Sequence, residues 1–490
     1  MTSQPYDLFI IGGGINGAGI ARDAAGRGKR VFLCDKGDLG GGTSSASTKL
    51  IHGGLRYLEF YEFALVRKAL AERERILAIA PHLSWPMPFV LPLGKDTRPS
   101  WMIRAGLFLY DHLARRRSFP DSEKIALADD PGGAVLQPKY RRAFRYWDGW
   151  VDDSRLVIAN CRDAARRGAA IVPRDGASEA RFADGLWQVT LDSGRTVAAR
   201  CLVNCAGPWA EEVASTVLGR NDAPRLDLVQ GAHIVVPRIG TGADAYMLQQ
   251  PDGRIIFTIP YQREFTLIGT TETRIEQPSE AQITAEESRY LLDAANRYLR
   301  ATLTPDDIRA SFAGVRPLVL EEGKNARETS REWKLVEHDG VRATTVVGGK
   351  LTTYRLLAET VMERLYPGTR PWTGTAPLPG GDIPGADRAP PREAYRRWVA
   401  ELAETNPDLP VERVEQLCER YGTEVENLLG TGLGRDFGAL FEAEVQHMAN
   451  EEWARSPEDV LWRRSKAGLT AAEELRTYLT DFFSAKYTAS

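Results

Sequence analysis

Residues 8–17 read Leu-Phe-Ile-Ile-Gly-Gly-Gly-Ile-Asn-Gly. The four apolar residues 8–11 are typical of a buried strand, and the glycines that follow end it abruptly. The next segment, 15–28, has the pattern of a helix whose small alanine side chains allow close packing against a sheet. The glycines therefore occupy a turn between a strand and a helix.

Their spacing, Gly-x-Gly-x-x-Gly, has a physical explanation at the start of a helix. The first glycine permits a tight turn, the second lets the backbone approach a pyrophosphate, and the third lets helix and strand pack closely. The helix N-terminus adds N–H groups and a partial positive charge that attract the anion. A second strand, predicted at 30–34, ends at a carboxylate that can accept hydrogen bonds from a ribose. The pattern favours a dinucleotide site over an ordinary strand–helix turn, and its predicted cofactor contacts are Gly12, Gly14, Asn16, Gly17 and Asp35.

The composition is that of a globular chain with several domains. Its 490 residues are too many for one compact core, so we expect two or three domains. A formal net charge of −3 gives no reason to expect a nucleic-acid partner. Five cysteines without a Cys-x-x-Cys pair indicate reduced thiols in a cytosolic setting, and the spacing of His, Cys and Asp predicts no metal site.

Two observations concern membranes. The chain is polar for five residues before its first strand, so a cleaved secretory leader would remove the dinucleotide site. No apolar run approaches the length of a transmembrane helix. The segment 101–110, rich in Trp, Phe and Leu, is either a helix lying at a membrane interface or a core helix. We favour the core helix, because Asp111 and His112 interrupt the apolar face.

The pattern of strand, glycine and helix recurs twice along the chain. One buried strand ends at Gly207, and a second precedes Gly348 and Gly349, with a helix from about Thr353 to Tyr366. Three such edges fit FAD better than a nicotinamide dinucleotide, because distant loops can hold its larger ring. The N-terminus of the last helix could stabilise the negative charge of a reduced flavin. A nicotinamide dehydrogenase remains the alternative from these residues alone.

The order of the predicted elements divides the chain into three domains. The FAD-binding domain is discontinuous and takes 1–80, 151–225 and 310–368, whereas the β-rich substrate-binding domain takes 81–150 and 226–309. A segment rich in proline and glycine, 369–391, reads as a linker. Only helical patterns follow, so we assign 392–490 to a separate α-helical domain.

Four motifs carry a resemblance to a known family. They are GGGINGAGIARDAAGRG at 12–28, TSSASTKLIHGGLRYLE at 43–59, GVRPL at 314–318 and GGKLTTYR at 348–355. Together they resemble the FAD-dependent, quinone-linked glycerol-3-phosphate dehydrogenases, closely over roughly residues 5–365 and more loosely beyond, where SPEDVLWRR at 456–464 is also similar. The chain differs in the triple glycine 40–42 and in Asp35, where many relatives carry Glu.

The resemblance implies an α/β fold with a Rossmann-type FAD-binding domain and a β-rich substrate domain, as in the amino-acid-oxidase-like flavoproteins, plus an all-α C-terminal domain. It implies oxidation of sn-glycerol 3-phosphate to dihydroxyacetone phosphate by hydride transfer from C2 to flavin N5, with electrons passed to a membrane quinone. It further implies a cytoplasmic protein bound peripherally to the inner face of the cytoplasmic membrane. A homodimer is a further expectation.

The later motifs supply the remaining predicted contacts with FAD. The segment 43–49 is a short loop rich in hydroxyl groups, suited to holding the far half of a cofactor. The predicted contacts are Thr43, Ser44, Ser45, Lys49, His52, Gly53, Gly207, Gly349, Leu351 and Thr352.

A phosphate dianion in a partly desolvated pocket needs several cations, ideally guanidinium forks. Arg56, Arg316 and Lys350 each lie in a motif next to glycine, and the resemblance assigns all three to the substrate. Tyr57 and Thr270 can add hydroxyl donors. A surface ion pair is the simpler interpretation for any one arginine, but three such cations from distant segments favour a common pocket.

Oxidation of a secondary alcohol requires a base, and histidine titrates in the right range. We favour His233, on a predicted strand of the substrate domain, and count it with Arg316 as catalytic. His52 is the other candidate, but it lies in a loop expected to contact the cofactor. The remaining histidines have no supporting neighbours and are expected to be structural or exposed: His82, His112, His338 and His447.

Two other functions share these residues. A glycerol-3-phosphate oxidase would use the same substrate contacts and pass electrons to O₂. A flavin-binding module without turnover is the alternative from a different class, and the intact set of Arg56, Arg316 and Lys350 argues against it.

Overall fold

The computed structural model describes residues 4–95, 97–116, 118–319 and 332–487. The strands are β1 Tyr6–Ile11, β2 Val31–Asp35, β3 Leu50–Ile51, β4 Ser84–Pro92, β5 Glu123–Ala126, β6 Arg142–Val151, β7 Ala170–Pro173, β8 Ala177–Ala183, β9 Leu186–Leu191, β10 Thr196–Asn204, β11 Leu226–Pro237, β12 Ala245–Gln249, β13 Ile255–Tyr261, β14 Phe265–Gly269, β15 Thr273–Ile275, β16 Ala310–Val319, β17 Lys334–Glu337 and β18 Ala343–Val347. The α-helices are α1 Ile15–Gly26, α2 Phe63–Ile79, α3 Ser100–His112, α4 Asp153–Arg166, α5 Ala210–Thr216, α6 Ala285–Asn296, α7 Tyr354–Leu365, α8 Pro391–Thr405, α9 Val411–Tyr421, α10 Val425–Thr431, α11 Glu442–Glu451 and α12 Glu473–Tyr487.

The first sheet is built around β1, the strand that precedes the glycine turn. Its order is β17-β18-β10-β1-β2-β7, and the five strands from β18 to β7 are parallel. The helices α1, α4 and α7 pack together on one face of this sheet and form its core with β1 and β2. The predicted strand, helix and second strand of the dinucleotide fingerprint are confirmed, and α1 ends two residues earlier than predicted.

The second sheet is mainly antiparallel and runs β15-β11-β14-β13-β12-β4-β6-β3, with β16 paired to β11 and β5 paired to β6. The pairing of β16 corrects one detail of the predicted division. We grouped this strand with the FAD-binding domain, but it forms a ten-residue ladder with β11 of the other sheet. It crosses from one sheet toward the other, and its sequence alone does not say which partner it takes. The remaining domain boundaries stay a prediction.

The C-terminal helices form a core of their own and dock on the first sheet's helices through buried ion pairs. Arg464 places its Nη1 and Nη2 2.6 and 2.7 Å from the two carboxylate oxygens of Asp38, and both side chains are buried. Arg155 of α4 meets Glu452 at 2.5 Å. These pairs join the predicted helical domain to the segment that follows β2 and to α4. No helix in the described part of the chain combines the length and apolarity that a membrane crossing requires.

The docking contact gives a stability prediction. Asp38→Asn leaves the buried guanidinium of Arg464 without its ionic partner, and removal of one member of a buried pair costs about 3–5 kcal/mol. We expect a clear fall in the urea concentration at which circular dichroism reports unfolding. Arg397→Ala breaks an exposed pair with Glu393 and should cost about 0.5 kcal/mol or less. Equal unfolding midpoints for the two variants would contradict the structural role of Asp38.

Candidate active site

A cavity of about 920 Å³ lies at the carboxyl ends of the parallel strands of the first sheet. Its walls include the glycine turn after β1, Asp35 at the end of β2 and Gly349 after β18. Ligands of open α/β sheets bind at this edge, because the loops that follow parallel strands all emerge there. We call this space the long cavity.

The glycine turn has no room for side chains. Gly12 has φ of +107°, and a Cβ on it would lie 2.5 Å from the carbonyl oxygen of Cys205. A Cβ on Gly17 would lie 1.9 Å from the carbonyl oxygen of Gly12. The turn therefore holds β1, α1 and the end of β10 in direct backbone contact, and leaves bare backbone toward the long cavity.

Polar groups near the start of α1 suit an anionic ligand. Asn16 donates from Nδ2 to the carbonyl oxygen of Gly348 at 3.1 Å, while its buried Oδ1 accepts no hydrogen bond from the protein. Ser44 accepts from the N–H of Ile15 at 3.0 Å, which ties the hydroxyl-rich loop to the helix. Asn16 thus links the glycine turn after β1 to the glycines after β18. A single cofactor that spans both turns would require them to lie this close.

Asp35 closes one end of the long cavity. Its two carboxylate oxygens accept one hydrogen bond each, from the N–H of Gly13 at 2.6 Å and that of Gly37 at 2.7 Å. Burial raises the pKa of this carboxyl, and the two N–H groups oppose that rise. Each oxygen retains acceptor capacity, so the carboxylate can take ribose hydroxyl groups. These residues fit the adenosine half of FAD.

Most predicted cofactor contacts line the long cavity. They are Gly12, Gly14, Asn16, Asp35, Thr43, Ser44, Gly207, Gly349 and Leu351. The others lie around it: Gly17 packs α1 on the turn, Ser45 and Lys49 line a neighbouring cavity, and the N–H of His52 donates to Thr352 Oγ1 at 3.2 Å.

Lys49 and Gly53 have structural partners that the sequence did not reveal. The ammonium of Lys49 is buried 2.7 Å from Asp153 Oδ2 and also donates to the carbonyl oxygen of Ser45. The N–H of Gly53 donates to Tyr110 Oη at 2.8 Å, and a Cβ there would clash with that ring. Their predicted contact with FAD stays a prediction, whereas their packing role is visible.

A smaller cavity of about 110 Å³ gathers the predicted substrate residues. Arg56, Tyr57, Thr270 and Arg316 line it, and so does His52, which we expected at the cofactor. Lys350 lies beside this group, with its Nζ 3.9 Å from the ring centroid of Tyr57. Residues from four distant segments therefore lie close together, while their role at the substrate stays a prediction. Two further lining residues, Arg254 and Glu272, lie in no motif that pointed to the substrate.

His233 is buried behind the small cavity and does not line it. Its Nε2 lies 2.9 Å from Thr48 Oγ1, and its ring stacks on Phe312. Burial lowers the pKa of His233 well below its usual value, and the positive charges of Lys49 and Arg316 lower it further. The imidazole is therefore neutral at physiological pH.

Glu287 of α6 organises the segment that carries Thr270. Its carboxylate accepts hydrogen bonds from Thr271 Oγ1 and Thr273 Oγ1, both at 2.8 Å, and from Gln230 Nε2 at 2.9 Å. Thr271 Oγ1 in turn accepts from the N–H of Ala232, next to His233. Sequence reasoning missed this role, because Glu287 lies in none of the motifs that pointed to the site.

Comparison with known proteins agrees with this geometry. Residues 7–355 match the family model described as FAD dependent oxidoreductase, and residues 372–484 match the C-terminal domain of alpha-glycerophosphate oxidase. The first match spans more than half of the chain, which therefore belongs to the FAD-dependent oxidoreductases. FAD is accordingly its cofactor, as the three glycine edges predicted.

Two curated relatives are similar over nearly their whole length. The chain is 45% identical to D-erythritol 1-phosphate dehydrogenase of Brucella abortus, with 98% of each chain covered. It is 44% identical to aerobic glycerol-3-phosphate dehydrogenase of Escherichia coli, with 95% of each covered. Within the class, the chain belongs to the glycerol-3-phosphate dehydrogenase family, which confirms the resemblance of the four motifs.

A solved structure confirms the fold. Glycerol-3-phosphate dehydrogenase from Bacillus halodurans, complexed with FAD, superposes with a TM-score of 0.76 at 24% identity and covers 100% of this chain and 92% of its own. The two-sheet flavoprotein fold with a helical C-terminal domain is thus as predicted.

The glycine turn gives a test of cofactor binding. Gly17→Ala places a methyl group against the backbone of Gly12, which cannot move without separating α1 from β1. We expect this variant to lose most of its FAD on purification, measured as visible flavin absorbance per mole of protein. Gly430→Ala is the control, since no atom lies within 4 Å of its added Cβ. Full FAD content in Gly17→Ala would contradict the role of the close approach.

Proposed function

We propose that the protein oxidises sn-glycerol 3-phosphate to dihydroxyacetone phosphate and passes the electrons to a quinone. The observation that carries the proposal is the small cavity, where Arg56, Arg316 and Thr270 converge with His52. A phosphate group and a hydroxyl-bearing carbon can both be held there. When bound, FAD supplies the acceptor for the hydride that leaves C2.

The cations account for the phosphate end of the substrate. Arg56 and Arg316 offer guanidinium forks that match phosphate oxygens, and Lys350 adds a third positive charge over Tyr57. Arg316 Nη2 donates to Thr270 Oγ1 at 3.3 Å, so Thr270 helps to hold this guanidinium in position. Together they orient the phosphate and exclude water, which leaves the carbinol carbon directed toward the cofactor side.

In this proposal His52 removes the proton of the C2 hydroxyl group. His52 lines the small cavity, whereas the other candidate, His233, lies behind it against Phe312. A general base must reach the proton that it removes, so position outweighs the preference drawn from the sequence. His233, linked to Thr48, then supports the loop that carries the cofactor contacts.

A four-carbon substrate is the second candidate. The relative from Brucella abortus is named D-erythritol 1-phosphate dehydrogenase and matches this chain as well as the glycerol-3-phosphate enzymes do. Both substrates present a phosphate and a neighbouring secondary alcohol, so the same cations serve either. We favour glycerol 3-phosphate because the relatives from Escherichia coli and Pseudomonas aeruginosa, 44% and 43% identical, are both named glycerol-3-phosphate dehydrogenases.

The function is tested by the visible spectrum. We expect anaerobic addition of glycerol 3-phosphate to bleach the bound flavin and to yield dihydroxyacetone phosphate, with a lower kcat/KM for D-erythritol 1-phosphate. The reverse preference would contradict the three-carbon substrate. Stoichiometric peroxide in air without quinone reduction would identify an oxidase, and no bleaching by either compound would identify a non-catalytic flavin module.

Arg316 provides the matching variant for this test. Arg316→Ala should lower kcat/KM for glycerol 3-phosphate about 10²-fold, because loss of a charge-assisted hydrogen bond to a buried phosphate costs about 3 kcal/mol. Arg274→Ala, which removes an exposed arginine of the same sheet, should change it little. Equal kcat/KM values for the two variants would contradict the assignment of Arg316 to the phosphate site.

The base assignment is tested by a pair of histidine variants. His52→Asn should lower kcat/KM about 10²–10⁴-fold with FAD retained, the usual loss when a general base is removed. His233→Asn should retain most activity. Because the pKa of His233 is lowered, an acidic limb of the pH profile between roughly pH 6 and pH 7 would report a different group. A larger loss of kcat/KM in His233→Asn than in His52→Asn would assign the base to His233 instead.

Peripheral attachment to the cytoplasmic face of the membrane is also part of the proposal. Helix α3 buries Ile103 and Leu107 in the core but exposes Trp101 and Phe108, which are 72% and 54% accessible. The buried face agrees with the core helix that we favoured, and the exposed face leaves room for the membrane-interface interpretation. It contacts the segment 55–60, near which Phe60, Tyr61 and Phe63 are exposed as well. A contiguous apolar patch of this kind fits a lipid surface.

Vesicle binding tests the patch. We expect the protein to sediment with vesicles that contain phosphatidylglycerol, and the double variant Trp101→Ala, Phe108→Ala to bind at least about tenfold more weakly, since each aromatic side chain buries substantial area. Val411→Ala removes an equally exposed apolar side chain elsewhere and serves as the control. Similar sedimentation of both variants would rule out this surface.

A further inference from the structure

One part of the small cavity's wall comes from a hairpin that none of the four motifs contains. The turn between β12 and β13 ends at Arg254, and this residue lines the cavity together with Ile255 and Phe257 of β13. Arg254 therefore adds a third guanidinium to a wall that already carries Arg56 and Arg316.

The guanidinium of Arg254 is held in place from two sides. Its Nε and Nη2 each lie 2.7 Å from Oδ2 of Asp252, and its backbone N–H donates to Oδ1 of the same carboxylate at 2.9 Å. Its Cζ lies 3.8 Å from the ring centroid of Tyr290 on α6. Burial alone would raise the pKa of Asp252, but the hydrogen bonds from Arg254 lower it below its usual value. A guanidinium that is fixed in this way loses little conformational freedom when it binds a ligand.

One nitrogen of this guanidinium is left over for a ligand. Asp252 takes up Nε and Nη2, whereas Nη1 donates to no protein acceptor among the residues that the structure describes. The side chain of Arg254 is 28% accessible, which places it at the open part of the cavity wall and not in the core. Nη1 is thus the donor that Arg254 can offer to a molecule in the small cavity.

The side chain of Arg316 extends toward the same part of the sheet. Its strand, β16, is separated from β14 by β11, but its Nη2 still donates to Thr270 Oγ1, just after β14, at 3.3 Å. It can cross β11 because residue 231 is glycine, where a Cβ would lie 2.7 Å from that nitrogen. Beyond β14 the next strand is β13, which Arg254 precedes. Arg254 and Arg316 therefore lie on either side of the segment that follows β14.

The charges of the wall favour an anion. Among the described lining residues, three are arginines and Glu272 is the one carboxylate. A phosphate monoester carries nearly two negative charges at neutral pH and has three strong acceptor oxygens. Guanidinium groups that converge from different segments can each donate to one of these oxygens.

We propose that Arg254 is a substrate-binding residue that donates from Nη1 to the phosphate group of the polyol phosphate. This inference rests on the proposed function, since it adds a contact to the same site. Asp252 and Tyr290 are then positioning residues, which hold the guanidinium at the cavity before the substrate arrives. Because the phosphate group keeps its charge while the carbinol is oxidised, this contact strengthens binding of substrate and transition state alike.

Steady-state kinetics of the FAD-loaded protein, with a soluble dye as electron acceptor, test the contact. Arg254→Gln should raise the KM for glycerol 3-phosphate about tenfold and leave kcat nearly unchanged, as expected when uniform binding is removed. Inhibition by inorganic phosphate should weaken by a similar factor, because this ion reports the anion contact without the carbon chain. Arg254→Lys keeps the charge without the planar fork, so its KM should rise only about threefold.

Arg263→Gln is the matched control for these measurements. Arg263 lies just beyond the other end of β13, is 39% accessible and is also paired with a carboxylate, that of Glu415 at 3.0 Å. It does not line the small cavity. Its replacement should change neither the KM for glycerol 3-phosphate nor the inhibition by phosphate.

The outcomes separate this contact from the proposed function. Failure of glycerol 3-phosphate to bleach the wild-type flavin would overturn the proposed function, on which the contact rests. With bleaching intact, unchanged KM and unchanged phosphate inhibition in Arg254→Gln would overturn the contact alone. A lower kcat at unchanged KM would overturn it as well. If Arg254→Gln does not fold, wild-type values of KM and of phosphate inhibition in Arg254→Lys would overturn the contact.

Discussion

The backbone contact between Gly17 and Gly12 sets the position of everything around the cofactor. It brings α1 onto the end of β1, and the next contact, from Gly12 to Cys205, fixes the end of β10 against the same turn. Five parallel strands then deliver their loops to one edge. Because these contacts are between backbone atoms, no side-chain adjustment can replace them. The long cavity exists because three chain segments approach one another as closely as glycine allows.

The sequence predicted those features that local chemistry determines. Glycine spacing predicted the turn, and the position after a strand placed Asp35 beside it, because both follow from short segments. Lys49 shows the limit of this reasoning. It lies in a cofactor-like motif, but its ammonium is paired with Asp153, more than a hundred residues away. No local pattern records such a pairing, and the same holds for Glu287 beneath Thr271.

The substrate residues show the same division between chemistry and geometry. The motifs predicted Arg56 and Arg316 as phosphate ligands, and the two side chains do line one cavity. For the base, the sequence favoured His233 over His52, although both lie next to motifs of the right kind. Their difference is one of depth: His52 reaches the cavity wall, whereas His233 is enclosed by Phe312 and Thr48. How deeply each histidine is buried depends on the pairing of β11 with β16, which the sequence did not determine.

Asp38 takes part in two features of the fold, the cofactor cavity and the attachment of the C-terminal helices. It borders the long cavity, and it holds Arg464 of the C-terminal helices. A ligand that binds only the folded form stabilises it by an amount that grows with its concentration, about 2.7 kcal/mol at one hundred times the dissociation constant. Cofactor loading and attachment of the helical domain are therefore thermodynamically linked, each strengthening the other. A chain without FAD is therefore expected to hold its helical domain less tightly than a chain loaded with FAD.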